Sequence, residues 1–115
     1  MAYLVTTLGH KHADELGFIL PHEHIFADFV SNNDAGKSSD DVLPVIEPLI
    51  RSAQDDGLTA LVDATALGGA RRVDILCDVS RALNLPIVVA TGIFKEPYKR
   101  DTVGQMGESD LAEWM

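Results

Sequence analysis

Two continuous apolar runs, "LTALVDA" (Leu58 to Ala64) and "LPIVVA" (Leu85 to Ala90), limit the folds open to this chain more than any other feature. A strand with one wet face alternates apolar and polar residues. These runs do not alternate, which suits parallel strands covered on both faces. A shorter run, Phe18 to Leu20, leads into "PHEH", and an opening segment, Tyr3 to Leu8, is also strand-like.

Parallel strands need crossover connections, and helical patterns fill the intervals. After Ser38-Ser39-Asp40-Asp41, a good helix start, apolar residues recur at Val42, Val45, Ile46, Leu49, Ile50 and Ala53 and stop near Gly57. Pro48 lacks a backbone donor and predicts a kink or a late start. Val73, Leu76, Cys77, Ser80 and Leu83 predict a second helix, and a third begins around Ser109-Asp110 and runs through Leu111 and Trp114. Alternating strands and helices give an α/β fold with a parallel sheet and right-handed crossovers. Three strands would leave open edges and half-covered helices, so the expectation for residues 1–115 is a piece of a larger α/β domain.

Composition narrows the partners. Nine basic against eighteen acidic residues give a formal charge of −9, which would repel a phosphate backbone, so no nucleic-acid partner is expected. No apolar run approaches a membrane span and the N-terminus lacks the features of a signal peptide; no membrane association and a cytoplasmic location are the expectations. The single cysteine, Cys77, sits among Val73, Leu76 and Val79 and reads as a buried small hydrophobe.

Two histidines, His22 and His24, follow the first long strand with one residue between them. Residues two apart on a strand share a face, so both would project from its carboxyl end. Imidazole suits zinc and similar divalent ions, but the spacing alone also fits a pair of turn residues. His10 and His12 have the same spacing, between Gly9 and Ala13-Asp14-Glu15, and read as an exposed turn. Glu23 should point away from its neighbours, in a packing or supporting role, and Asp28 suits a turn cap.

With these residues in view, the sequence resembles the phosphotriesterase family of the amidohydrolase superfamily, which includes phosphotriesterase-like lactonases. "LGFILPHEHIFAD" (Leu16 to Asp28), "LVDATALGGARRVDIL" (Leu61 to Leu76) and "LPIVVATGIFKEPY" (Leu85 to Tyr98) carry the likeness in order. The resemblance implies the first three βα units of a TIM (β/α)8 barrel, residues 1–115 being its N-terminal fragment. It implies a metal-dependent hydrolase in which a hydroxide activated by two divalent metal ions, zinc by expectation, attacks a lactone, ester or phosphotriester. His22 and His24 would ligate the more buried ion, the other ligands coming from later strands, so the 115-residue chain itself is expected to be inactive.

Phe94 stands where lactonase-like members carry a pocket-lining tyrosine, which makes it a substrate-pocket residue lacking a hydroxyl. Ala70-Arg71-Arg72 replaces the family's Gly-Arg-Asp. Asp63 and Thr65 are expected to hydrogen-bond within the barrel, and Thr91 and Gly92 to form a strand-end turn. Lys95, Glu96 and Tyr98 fit either a mouth-lining or a solvated loop. Two other readings stand beside this one. The first is a non-catalytic truncated barrel or small α/β module whose open edges make a homodimer or larger assembly. The second is a TatD-like metal nuclease, against which Leu20-Pro21 ahead of the pair and the acidic charge both argue.

Overall fold

The computed structural model describes residues 2–28, 36–67, 70–94 and 104–115. Strands β1 (Tyr3–Thr6) and β2 (Gly9–His12) form an antiparallel hairpin, followed by a 3-10 turn at Ala13–Glu15. Then come β3 (Phe18–Glu23), α1 (Ser39–Asp55), β4 (Leu58–Asp63), α2 (Val73–Leu83), β5 (Ile87–Val89) and α3 (Glu108–Trp114). Strands β3, β4 and β5 are parallel and lie in that order, with β4 central. This is the arrangement of the first three βα units of a (β/α)8 barrel.

The opening segment Tyr3 to Leu8 holds β1 and the turn after it, and β1 pairs with β2 as a hairpin; His10 and His12 lie in β2 rather than in a turn, though both are exposed as expected. The reversal falls at Thr7-Leu8, and Gly9 leaves it with φ +87°, a conformation that favours glycine.

Burial follows strand position. Central β4 is the most buried, with Ala60 fully enclosed and Leu61 nearly so. The Phe18 to Leu20 run departs from expectation: Phe18 is 57% exposed, and among the described residues β3 is a sheet edge with no strand on its far side. Pro21 is tolerated there, since an edge strand does not need every N–H, and the β3–β4 pairing shifts register between Leu20 and Glu23.

Helix α1 starts at Ser39 and runs unbroken through Pro44 and Pro48, so the late start expected from Pro48 does not occur. Both prolines are exposed, and water can solvate the carbonyls that each leaves without a helical donor. The start is held by the Asp41 carboxylate, which accepts from the Ser38 N–H at 2.8 Å and the Ser38 hydroxyl at 3.1 Å. Those hydrogen bonds hold the Asp41 carboxyl below the usual carboxylate range.

The apolar face of α1 is only half used. Val42 and Ile50 are buried, whereas Val45 is 68% and Leu49 64% exposed. In α2 the inner face is Ile75, Leu76, Val79, Ser80 and Leu83; Val73 is exposed and Cys77 half-buried rather than enclosed. The inward stripe is centred one position away from where Val73 and Cys77 would put it. Ile75, Val79, Leu85 and Ile87 are fully buried and form the centre of the core. Each contributes about 1.5–3 kcal/mol through removal of apolar surface from water.

A buried relay joins the hairpin to the base of β5. The Ile87 N–H donates to Thr7 Oγ1 at 3.1 Å, and Ser80 Oγ donates to the Leu85 carbonyl at 2.6 Å. The Ser80 proton being committed, the 2.6 Å contact between the two hydroxyls has Thr7 as donor. Each hydroxyl of the relay both donates and accepts, and the relay ties the hairpin to the start of β5.

Candidate metal centre

Because the three strands are parallel, their carboxyl ends and the loops that follow them meet on one side of the sheet. His22, near the end of β3, and His24, just beyond it, lie on this side with ring centroids 5.3 Å apart and planes nearly perpendicular. Both residues are exposed. The structure therefore brings the two histidines together; Glu23 between them is half-buried and, with His24 and Leu20, lines a groove against α1.

What fixes His24 is a buried carboxylate one strand away. Asp63 ends β4 with no exposed surface, and its two oxygens face two different loops. Oδ2 accepts the Ile25 N–H at 2.8 Å and Oδ1 the Thr65 N–H at 2.9 Å. The backbone adds an Ala64 N–H to Glu23 carbonyl bond at 2.8 Å and an Ala90 N–H to Asp63 carbonyl bond at 3.2 Å. Asp63 thereby ties the ends of all three strands together. Thr65, 2% exposed, places its hydroxyl 2.9 Å from His24 Nδ1. Asp63 and Thr65 hydrogen-bond within the fold as the sequence suggested, but the particular partners were not legible from it. The only signal is that the two flank one residue at a strand end.

On the next loop the backbones of Leu67 and Gly92 meet at 3.0 Å, and the Phe94 N–H donates to the Leu67 carbonyl at 2.7 Å. Phe94 is half-buried at that end of the sheet. Arg71 Nη1 donates to the Ala90 carbonyl at 2.7 Å, linking the approach to α2 with the end of β5. Ala70 before it has φ +60°, the left-handed region, at the place where the resemblance puts glycine. Arg72 pairs with Asp74 at 2.6 Å, and that bond holds the Asp74 carboxyl below its usual value. Lys95, Glu96 and Tyr98 lie outside the described residues.

A divalent ion needs more donors than this. Among the described residues no group of three or more histidine, cysteine or acidic side chains could hold one. The imidazole pair fits as part of a site: two donors of a type suited to zinc, adjacent, reachable from solvent, with Nδ1 of His24 already engaged and Nε2 available.

The model of the phosphotriesterase family matches residues 2–115. The chain belongs to this family. Among solved structures, a mutant organophosphorus hydrolase superposes with a TM-score of 0.83 at 29% identity, covering 100% of this chain and 37% of that one. A mutant of a phosphotriesterase-like lactonase from Deinococcus radiodurans gives 0.81 at 29% identity, with 95% of this chain and 37% of the other covered. A resiniferatoxin-binding protein from Rhodobacter sphaeroides shares the fold at 17% identity and a TM-score of 0.76, over 96% of this chain and 39% of its own. No curated protein matches the chain. This phosphotriesterase-family chain thus spans little more than a third of the length of the structures it matches.

Proposed function

We propose that this chain supplies the first three βα units of a hydrolase barrel acting on lactone, ester or phosphotriester bonds, and that His22 and His24 are two of its metal ligands. The observation that carries the reading is the His22–His24 pair, 5.3 Å apart at the carboxyl ends of parallel strands in a member of the phosphotriesterase family. The similarity to an organophosphorus hydrolase and a lactonase supports the bond class. Zinc is the ion proposed, since two imidazoles suit it, and a small molecule is the substrate proposed.

Divalent ions bound at such a site supply Lewis acidity for both a water nucleophile and a substrate oxygen. The residues of this chain do the positioning. His22 and His24 offer ring nitrogens at the mouth, the Asp63 bridge holds the loops in register, and Thr65 orients one ring. Phe94 offers an apolar edge near the strand ends, so we assign it to the substrate pocket.

The test is to isolate the protein from its source, measure its native mass and metal content, and assay lactone and phosphotriester hydrolysis with and without a chelator. A barrel-sized species carrying two ions and losing hydrolysis on chelation is expected. A native mass near 12.4 kDa together with no hydrolysis would overturn the proposal.

A further inference from the structure

Building on the reading of His22 and His24 as ligands, we infer that Thr65 is a positioning residue that locks His24 in the Nδ1–H tautomer and so presents the bare Nε2 at the mouth. The Thr65 hydroxyl has one hydrogen and two neighbours, His24 Nδ1 at 2.9 Å and the Phe26 carbonyl at 3.4 Å. A carbonyl can only accept, so the one arrangement that uses both contacts sends the hydroxyl proton to Phe26. In that arrangement the hydroxyl oxygen has lone pairs left for the ring, and Nδ1 carries the hydrogen that reaches it. With Nδ1 protonated, a neutral imidazole has its lone pair on Nε2, which is the form a metal takes.

The geometry leaves the hydroxyl little choice. Thr65 is 2% exposed, so water does not compete for it. Its N–H is held by Asp63 Oδ1 and the N–H of Ile25, next to His24, by Asp63 Oδ2, so one buried carboxylate fixes both partners. His22 has no such device: among the described residues no hydrogen bond reaches its ring, whose contact is the edge of His24. A neutral imidazole without constraint favours the Nε2–H tautomer, the opposite of the one assigned to His24. The two neighbouring rings should therefore differ.

The experiment is a long-range proton–nitrogen correlation spectrum of the four imidazoles in the nitrogen-15-labelled chain at alkaline pH. His24 should show a protonated Nδ1 and a bare Nε2, while His10, His12 and His22 show populations weighted to Nε2–H. Thr65→Val should move His24 into line with the others and weaken zinc binding roughly 10- to 100-fold; Thr65→Ser should restore the native pattern. A native His24 in the Nε2–H form, or one that Thr65→Val leaves unchanged, would overturn the inference. Should Thr65→Val unfold, the native spectrum and Thr65→Ser still decide. Zinc added to the same sample separates the two claims. A Nδ1–H His24 that ignores zinc contradicts the ligand assignment alone, and a zinc-binding His24 in the other tautomer contradicts the Thr65 assignment alone.

Discussion

Asp63 concentrates more of the site's architecture than either histidine. It is fully buried and accepts from Ile25 and Thr65, so removing it leaves two donors without partners. Asp63→Ala should destabilise the chain by about 2–6 kcal/mol, read as a lower urea midpoint, because each of the two orphaned donors costs roughly 1–3 kcal/mol. Asp63→Asn should cost less, since its amide still accepts on one side. Asp41 and Asp74 behave differently, lying at the surface with carboxyls held below the ordinary value of 3.8. Their folded pKa is depressed, so their contribution is present above that value and is lost as pH falls through the folded pKa. A melting-temperature series from neutral to strongly acid pH should therefore show an acid limb that Asp74→Asn makes slightly shallower, the effect being small for a solvated pair.

At the scale of elements, the sequence showed where helices and parallel strands lie because continuous apolar runs and helical spacing are local signals. It did not show which apolar residues would be covered. Val45 and Leu49 belong to the same helical apolar pattern as Val42 and Ile50, yet the former are open. Coverage depends on what stands opposite, and that is a property of the sheet rather than of the helix. The His22–His24 pair was legible from spacing plus strand end; the Asp63–Thr65 support was not, because it forms between residues about forty positions apart. The Thr7–Ser80–Leu85 relay was invisible for the same reason. Ser80→Ala should cost about 1–3 kcal/mol by stripping the Leu85 carbonyl and the Thr7 hydroxyl of their partners. Ile75→Ala should cost about 2–5 kcal/mol as a core cavity, whereas Leu49→Ala, 64% exposed, should stay within about 0.5 kcal/mol. Chemical denaturation of the three variants side by side checks the ranking.

At the scale of the whole molecule, the exposed Val45 and Leu49 of α1 and the open edge of β3, with Phe18 on it, are apolar surface that a completed barrel would cover. In solution the 115-residue chain should self-associate, and Val45→Lys with Leu49→Lys should shift it toward monomer in light scattering. For a metal-binding end at His22 and His24, the sequence supplies its own control in His10 and His12, which have the same spacing on β2. The most direct measurement is therefore a cobalt titration of the labelled chain, followed by paramagnetic broadening of the four histidine rings. His22 and His24 should broaden together and before His10 and His12. Broadening of His10 and His12 first, with His22 and His24 sharp, would contradict it.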